Sequence, residues 1–446
     1  MVRGYLIHLC LDKNIAIFSR RLMKEFKPYL KLLTDLTLPQ KREVPDVKSK
    51  IESALNGQAN SFLRKNVGIE TLRNSGIFFT GHELASALVK PFSKRISAGT
   101  TVFDPACGAG DLLLAAAKHL PLADSLSETI SLWGTKLHGY DIDPEFVKAT
   151  KIRLLLLAQS KFKIRPAHSP SIEKVFPNIK TANFLKQPLK GKSYGLVLMN
   201  PPYHRVQIDN SWAKGLTTLA AQFVFKCVKD LPKGTKVGAI LPDVLRTGTR
   251  YAKWRNEIEA VATPNEIKII GKFDAATDVD VFQLEAEIGA ITKAKKNWYP
   301  KHKITTNISD HFRVTTGPVV PFRDKKRGDK YPYIDAAVVP AWKTVSPGAK
   351  TRRFNKTVFT PPFVVIRRTS GPSDKTRAVG SIIIGKKDVA VENHLIVLKP
   401  IFGGLTACRT ALKTLATDAT TKWLNKRIRC RHLTIDAVKK IPYSGD

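Results

Sequence analysis

The chain has 446 residues, 43% of them hydrophobic and 25% charged, and is long enough for two or three globular domains. Its 74 lysines and arginines against 37 aspartates and glutamates give a net charge of +37, which favours a polyanionic partner, nucleic acid before an anionic membrane surface. Five cysteines without C-x-x-C spacing argue against a disulfide framework and a zinc site and for a reducing cytosol, and no apolar run is long enough to span a bilayer.

The N-terminal residues 1–70 are predicted to form a mostly helical, basic segment with a break near Pro39–Arg42. Its apolar start, Tyr5–Leu11, is only weakly signal-like, because His8 interrupts the run and no small-residue cleavage site follows. We expect this start to be part of the fold or an ill-defined leader. Further on, Thr80 or Gly81 is predicted to begin a helix, with Glu83 completing a capping box; the alternative is a ligand contact.

Short apolar strands alternate with helical stretches from Gly76 to about Lys296. The predicted strands are Val102-Phe103, Leu137–Tyr140, Leu196–Met199 and Val237–Leu241, and the predicted helices cover 111–120, 144–157 and 219–229. This alternation predicts an α/β fold with a parallel, doubly wound sheet. Ligands of such sheets lie at the carboxyl ends of the strands.

The first strand end carries a glycine-rich turn, Asp104-Pro105-Ala106-Cys107-Gly108-Ala109-Gly110-Asp111. Gly108 and Gly110 allow a ligand to approach the backbone closely, unless the segment is only a tight turn. Leu113 stands where the NAD fingerprint needs a small residue. The acid-rich frame suits a cationic ligand better than a pyrophosphate, and S-adenosylmethionine, with its sulfonium and amino groups, fits.

The next two strand ends also carry polar residues. Asp141 is a candidate to accept two hydrogen bonds from a ribose diol, unless it only caps, whereas Asp143 before Pro144 is typical of a helix N-cap. Asn183-Phe184 offers an amide for an adenine edge and an aromatic wall for an adenine face.

The most informative stretch is Asn200-Pro201-Pro202-Tyr203, directly after the buried strand Leu196–Met199. The two prolines end the strand and fix a stiff, open corner that exposes main-chain carbonyls. The corner aims a polar and an aromatic side chain at one point. This arrangement suits an exocyclic amino group on a flat ring, and therefore chemistry on a nucleobase.

The chain changes character past Tyr299, and we predict a domain boundary at roughly 296–310. From Asn297 to Asp446 there are 29 basic and 10 acidic residues, about half of the net charge. Strand-like runs are Phe363–Ile366 and Ser381–Ile384, and 412–424 is predicted to be one helix. The densest basic clusters, which we expect to contact nucleic acid, contain Arg367, Arg368, Asn393, His394, Arg427, Arg429 and Arg431.

Taken in chain order, these motifs resemble the amino-group DNA methyltransferases that modify adenine N6, and in particular the gamma group that includes modification subunits of restriction systems. The matching segments are Gly76–Glu83, Asp104–Asp111, Asp141, Asn183-Phe184, Asn200–Tyr203 and Ala239–Arg246. Gly81 stands where this group usually has a proline, and Asn183 where it usually has an aspartate. The match covers about 76–296, and the last third more loosely.

The resemblance implies a Rossmann-like, mostly parallel methyltransferase sheet over 71–300, after the helical segment 1–70 and before an α+β target-recognition domain over 301–446. It implies S-adenosylmethionine as the cofactor, double-stranded DNA as the partner, and no metal. The residues expected at the cofactor are Phe79, Thr80, Asp104, Pro105, Ala106, Cys107, Gly108, Gly110, Asp141, Ile142, Asn183, Phe184 and Asn200. A restriction or specificity subunit is a further expected partner, and a bacterial or archaeal cytoplasm near the nucleoid is the expected location.

The implied mechanism needs no covalent intermediate. The Asn200 side-chain oxygen and the Pro201 carbonyl would each accept one N–H of a flipped-out adenine, and Tyr203 would stack on the base. Phe282 is a candidate for the other face of the base; the alternative is a core residue. Open alternatives for the function are cytosine N4 methylation, an RNA base methyltransferase, a protein-glutamine methyltransferase, and a DNA-binding subunit that methylates only within a larger complex or not at all.

Overall fold

The computed structural model describes residues 25–38, 45–67, 79–162, 171–273, 279–289, 298–299, 306–348, 350–370, 374–429 and 431–443. The predictions for Tyr5–Leu11, for the break near Pro39–Arg42 and for Gly76–Phe78 lie outside these residues. The chain divides into two compact units, Met1–Lys296 and Asn297–Asp446.

The first unit begins with helices in its described part. They are α1 over 25–37, α2 (Pro45–Leu55) and α3 (Gln58–Val67). The aromatic residues Phe26 and Tyr29 of α1 are fully buried, and Phe26 packs edge-on against Phe146 at a ring-centroid distance of 5.0 Å. The N-terminal helices therefore share one apolar core with the elements that follow them.

The α/β part of the first unit contains nine strands and eight helices in its described residues. The strands are β1 (Val102–Asp104), β2 (Leu137–Asp141), β3 (Ile179–Thr181), β4 (Leu196–Met199), β5 (Arg205–Asp209), β6 (Lys214–Thr218), β7 (Lys236–Pro242), β8 (Ala262–Lys272) and β9 (Asp280–Ile288). The helices are α4 (His82–Val89), α5 (Ser93–Ser97), α6 (Asp111–Ala117), α7 (Leu126–Lys136), α8 (Pro144–Phe162), α9 (Leu219–Asp230), α10 (Asp243–Thr247) and α11 (Ala252–Glu259).

Seven of these strands form one sheet in the order β3-β2-β1-β4-β7-β9-β8. The first five strands of that order are parallel, whereas β9 and β8 are antiparallel to their neighbours. Strand β4 is buried along its whole length, which explains its unbroken apolar sequence. The prediction of an α/β fold with a mostly parallel sheet is confirmed, and β5 and β6 form a separate hairpin directly after Asn200–Tyr203 that was not predicted.

The direction of strand addition reverses between β1 and β4. The chain proceeds outward from β1 to β2 and β3 and then returns to place β4 on the other side of β1. Such a reversal opens a crevice at the carboxyl ends of the two central strands. Asp104 ends β1 and Asn200 directly follows β4, so the topology itself brings these two residues to the crevice.

The second unit contains a five-stranded and a three-stranded sheet. Its strands are β10 (Phe312–Thr316), β11 (Asp329–Ile334), β12 (Thr344–Val345), β13 (Thr351–Phe354), β14 (Phe363–Arg367), β15 (Gly380–Ile383), β16 (Ala390–Val391) and β17 (Leu395–Pro400), in the orders β10-β17-β14-β15-β12 and β13-β11-β16. Its described helices are α12 (Ile308–His311), α13 (Gly404–Ala416), α14 (Asp418–Arg427) and α15 (Ile435–Lys439). The single helix predicted over 412–424 is wrong, because Thr417 leaves the helical conformation and its hydroxyl caps α14 by accepting the Thr420 N–H.

Candidate active site

The glycine-rich turn after β1 is held by hydrogen bonds from both neighbouring strand ends. The Asp104 carboxylate accepts the N–H of Ala106 (3.0 Å), and the Asp141 carboxylate accepts the N–H of Gly108 (2.9 Å). The Cys107 N–H donates to the carbonyl of Tyr140 (2.9 Å). The turn is thus an extension of the sheet edge with a fixed shape.

Both predicted glycines are required by close packing. A Cβ atom on Gly108 would lie 2.9 Å from the ring of Phe79, and one on Gly110 would lie 2.8 Å from the methyl group of Thr150. Gly110 also has a φ of 90°, a conformation that side chains of other residues disfavour. The glycines let the turn pack closely against Phe79 and Thr150. This is the tight-turn role, which the sequence left open as the alternative to a ligand contact.

A buried carboxyl group, Asp104, and a partly buried one, Asp141, line this edge, and their environment disfavours their charge. Burial raises the pKa of Asp104 to about 8 and that of Asp141 to about 6, although main-chain N–H groups oppose both shifts. Asp141 also accepts the N–H of Asp143 (3.0 Å), so each of its two oxygens already bonds one main-chain donor. A bound cation would favour the ionised form of both groups.

Cys107 is chemically inert in this environment. Its side chain is buried in the turn, and burial raises the pKa of its thiol well above the usual value. This agrees with its predicted role as a small turn residue rather than a nucleophile. Pro105 is buried beside it and Ala106 is partly exposed.

Arg153 is the residue of this site that the motif analysis missed. Its guanidinium is fully buried and pairs with the Asp111 carboxylate at 2.9 Å. It also donates to the carbonyl of Ala109 in the glycine-rich turn and to that of Ala54 in α2 (2.8 Å). The signal in the sequence was a cation directly before the apolar run Leu154–Leu157.

The start of α4 is capped differently from the prediction. The helix begins after Gly81, and no side chain caps it, so the expected capping box with Glu83 is wrong. Instead the Gly81 N–H donates to the second oxygen of Asp111 (2.8 Å). Asp111 therefore joins the segment Phe79–Gly81 to Arg153 and the glycine-rich turn.

The Asn200 amide is fixed on both sides. Its nitrogen donates to the Thr80 hydroxyl (3.2 Å), and its oxygen accepts the Tyr203 hydroxyl (2.6 Å). The Tyr203 hydroxyl also lies 3.3 Å from the carbonyl of Ile240 in β7. Burial raises the pKa of Tyr203 well above its usual value, so the hydroxyl keeps its proton and remains a donor.

The ring of Tyr203 is partly buried and packs against the core. Phe273 meets it edge-on at a centroid distance of 6.2 Å, a contact that the sequence motifs did not reveal. Pro201 is buried and Pro202 partly exposed. The corner Asn200–Tyr203 therefore has a conformation that these contacts already hold in place.

The remaining predicted cofactor residues divide into exposed and buried ones. Ile142, next to Asp141, is 68% exposed, which is unusual for an isoleucine and leaves an apolar face for a ligand. Asn183 is exposed, and its oxygen accepts the Leu185 N–H (3.1 Å). Asp143 accepts the Glu145 N–H (2.9 Å), so its predicted N-cap role is confirmed.

Two predicted aromatic walls lie in the interior instead. Phe184 is 1% exposed because its ring packs between Phe103 and Phe223, and Phe282 is fully buried on β9 beside Leu241 of β7. Neither ring presents a face to the site in this structure. Phe184 was predicted to line the adenine of the cofactor and Phe282 to cover the other face of the target base. Both predictions are corrected to a core role.

In the second unit, three predicted basic clusters meet at one end of the inner strands β14 and β17 of the five-stranded sheet. The Arg368 N–H donates to the His394 carbonyl (2.9 Å), the Ser370 N–H to the Arg431 carbonyl (2.7 Å), and the Leu433 N–H to the Arg368 carbonyl (2.8 Å). We call this the basic edge, formed by 367–370, 393–394 and 431–433. Its members lie far apart in the sequence and are brought together by main-chain pairing and by a contact of the Thr369 hydroxyl with the His432 ring (3.3 Å).

Not every predicted cation of this unit faces outward. Arg427 pairs with Asp436 at 2.8 Å and stacks on the ring of Tyr299 at 4.3 Å, so its predicted nucleic-acid contact is corrected to a structural role. Arg367 is half-buried and donates to the Val339 carbonyl (2.7 Å). His394 and Arg431 are exposed, whereas Asn393 and Arg429 are half-buried.

The described ranges contain neither a group of metal ligands nor a membrane-spanning helix. No three histidine, cysteine, aspartate or glutamate side chains in them are grouped as metal ligands. No described helix has the length and apolar character that crossing a membrane requires.

Comparison with solved structures shows a fold shared with one of them, MmeI, and weaker likeness to others. The type IIL restriction-modification enzyme MmeI, solved in complex with DNA, is 12% identical, with a TM-score of 0.51 over 87% of this chain and 70% of that one. The type IIG restriction endonuclease BpuSI is 13% identical, with a TM-score of 0.46 over 88% and 62%. A type I restriction-modification methyltransferase subunit from Streptococcus thermophilus is 17% identical, with a TM-score of 0.35 over 60% and 56%. The chain thus spans less than two thirds of the length of two of these three proteins.

The fold class defined by the sheet and by the likeness to MmeI is a doubly wound α/β fold found in restriction-modification enzymes. Residues 55–259, which contain the glycine-rich turn, Asp141 and Asn200–Tyr203, match the family model of the N-6 DNA methylases. This region of the chain is thus similar to the N-6 DNA methylases. The resemblance read from the motifs is confirmed.

We predict that Arg153→Met destabilises the first unit by about 3–5 kcal/mol, the range for breaking a buried ion pair by removing one partner. The substitution leaves Asp111 as a buried charge and removes donors from the carbonyls of Ala54 and Ala109. Denaturant unfolding of the full chain measures the effect. Lys148→Met, at an exposed position of the same helix, is the control and should change stability by less than about 0.5 kcal/mol; equal stability of the two variants would contradict the assignment.

Proposed function

We propose that the protein is a DNA methyltransferase that transfers a methyl group from S-adenosylmethionine to the N6 amino group of adenine. The observation that carries this proposal is the Asn200 amide, held between the hydroxyls of Thr80 and Tyr203 at the carboxyl end of β4. It lies at the crevice where β1 ends in Asp104 and the glycine-rich turn begins. The match of 55–259 to the family model of the N-6 DNA methylases supports the same chemistry.

The residues of the sheet edge fit S-adenosylmethionine. Asp104 and Asp141 offer carboxylates whose charge a cationic ligand would favour, and the exposed side chain of Ile142 offers an apolar face beside them. Asn183 keeps its amide N–H₂ group for an adenine edge, since only its oxygen bonds the local backbone. When bound, S-adenosylmethionine supplies an electrophilic methyl group on its sulfonium.

The Asn200 oxygen is the acceptor for one N–H of the adenine amino group. The Tyr203 hydroxyl donates to this oxygen, and an amide oxygen can accept more than one hydrogen bond. The Pro201 carbonyl is the second acceptor in this proposal. Two acceptors draw the amino nitrogen out of conjugation with the ring, so that its lone pair becomes available for the methyl group.

The hydrogen bonds around Asn200 explain why the acceptor needs no reorganisation. The Thr80 hydroxyl holds the amide nitrogen, which fixes the side-chain oxygen toward Tyr203 and the substrate. Preorganised dipoles stabilise developing charge better than mobile ones. Thr80 and the Tyr203 hydroxyl are therefore positioning groups, and the Tyr203 ring is the surface on which the base stacks.

A paired adenine cannot reach this crevice, so the target base must leave the duplex. The exposed side chains of the basic edge, His394 and Arg431, are suited to DNA phosphates. The second unit would then act as the DNA-recognition domain. A restriction or specificity subunit is a further proposed partner, and we place the enzyme in the cytoplasm of a bacterium or archaeon, at its nucleoid DNA.

Transfer of a labelled methyl group tests the function directly. The purified full chain is incubated with labelled S-adenosylmethionine and with double-stranded DNA, RNA or bulk protein, and the modified group is identified by mass spectrometry of the digest. We expect N6-methyladenine in DNA. N4-methylcytosine would replace the proposed base, and label only in RNA or protein would refute the DNA reaction.

We predict that Asn200→Ala lowers the rate of transfer by at least about 10³-fold, because it removes the acceptor that aims the amino group. Tyr203→Phe keeps the stacking ring but loses the hydroxyl, and we expect about a tenfold lower kcat from one lost hydrogen bond. Single-turnover kinetics measure both rates. Binding of S-adenosylmethionine by calorimetry is the control and should survive in both variants; full activity of Asn200→Ala would remove the proposed role.

Cofactor binding should release a proton from Asp104. Its pKa of about 8 in the free protein leaves it largely protonated at pH 7, whereas a bound cation favours the carboxylate. The affinity should therefore rise with pH up to about 8, since less work is needed to ionise the group. Calorimetry in two buffers of different ionisation enthalpy counts the protons released.

The matched variant for this measurement is Asp104→Asn, which retains an oxygen for the Ala106 N–H. We expect it to release distinctly fewer protons than the natural chain at pH 7. The comparison also subtracts the titration of the cofactor's own amino group, which is common to both proteins. Identical proton release in the two would show that Asp104 does not respond to the cofactor.

A further inference from the structure

Phe322 is the most exposed large apolar side chain in the described part of the chain. Its relative exposure is 102%, and it lies in the connection between β10 and β11 of the second unit. Full exposure of a phenylalanine leaves its whole apolar surface in water, so covering the ring with a partner would be favourable. We call residues 320–328 the Phe322 loop.

The Phe322 loop has a fixed conformation. The Asp324 carboxylate accepts the Val320 N–H (2.7 Å) and pairs with Lys356 at 2.6 Å, while Arg352 donates to the Asp324 carbonyl (2.7 Å). The Val320 carbonyl accepts the N–H groups of the next turn. The ring is thus presented by an ordered turn, whose conformational entropy need not be lost when a partner binds.

The surroundings of Phe322 are strongly basic. Its exposed neighbours in the loop are Arg323, Lys325, Lys326 and Arg327. The one acid of the loop, Asp324, is already engaged by Lys356, and that contact holds the pKa of its carboxyl below the usual value. The loop therefore offers one aromatic ring among four cations, with its only negative charge neutralised.

The Phe322 loop follows β10, at the same end of the five-stranded sheet as the basic edge. Val319, next to the loop, accepts the Asn393 N–H (2.9 Å) and forms a bridge with Glu392. His394 follows and bonds Arg368 in turn. The segment that leads into the Phe322 loop is therefore hydrogen-bonded to the basic edge.

We propose that Phe322 inserts its ring into the base stack of bound DNA while the neighbouring cations contact the phosphates. This inference rests on the proposed function for its partner, and it adds a residue and a mode of binding that the motifs do not assign. Phosphates explain the cations, and the faces of the bases explain an aromatic ring that no protein contact covers. A protein or a vesicle partner is an alternative that the test below separates.

Equilibrium binding of the full chain to a fluorescent duplex of mixed sequence, titrated at several salt concentrations, gives the first test. We expect Phe322→Ala to weaken binding about tenfold or more, the range of base–aromatic stacking, with an unchanged salt slope because no cation is lost. The double variant Lys325→Gln, Lys326→Gln should instead flatten the salt slope, because two cations that contact phosphate are lost. Phe402→Ala is the matched control, since Phe402 is 84% exposed but follows the other end of β17.

Unwinding of a relaxed circular plasmid in the presence of topoisomerase gives the second test, because ring insertion changes the twist of DNA and phosphate contacts alone need not. The natural chain and Phe402→Ala should shift the linking number, and Phe322→Ala should shift it less. Equal affinity and equal unwinding for Phe322→Ala would overturn the proposal. So would an affinity loss shared by Phe402→Ala, or an effect of Phe322→Ala only on self-association or vesicle binding.

The two proposals fail separately. If the protein methylates DNA but Phe322→Ala binds as the natural chain does, only the inference on Phe322 is wrong. If Phe322 contributes to DNA binding but no base in DNA is methylated, the proposed reaction is wrong and the interaction surface stands.

Discussion

The buried guanidinium of Arg153 is the interaction on which the first unit depends. One side chain binds the helix α2, the glycine-rich turn and, through Asp111, the segment Phe79–Gly81. A cation without water needs a carboxylate and several carbonyls around it, so these segments cannot move independently without exposing an unpaired charge. Helix α2 is thereby tied to the glycine-rich turn and is an integral part of the first unit.

The same constraint explains how the site is prepared before any ligand arrives. Segment Phe79–Gly81 delivers the Thr80 hydroxyl that fixes the Asn200 amide, and it is itself fixed by Asp111. The glycine-rich turn and the Asn200 corner are therefore connected through one hydrogen-bonded route. The buried Asp104 and the partly buried Asp141 keep raised pKa values, a cost that a cationic ligand would relieve.

The basic side chains of the second unit include some that pair within the fold and some that are exposed on its surface. Arg427 has the same side chain as Arg431, yet it lies over Tyr299 and pairs with Asp436, whereas Arg431 lies exposed on the basic edge. Composition predicts a polyanion partner for this unit but does not separate structural cations from surface ones. That separation depends on which side chain meets a carboxylate and an aromatic ring in the fold.

The sequence by itself determined the central parallel strands, their polar ends and the Asn200 corner, because alternating apolar runs and the local effects of glycine and proline act over short stretches of chain. It did not determine the antiparallel strands β8 and β9. It did not determine that Phe184 and Phe282 are core, since burial depends on neighbours distant in the chain. It also gave no partner for Arg153, whose contacts join residues 42 to 99 positions away. The tertiary structure alone decided which carbonyls surround that cation, which cations form the basic edge and which ring stays exposed, because each is fixed by packing between separate segments.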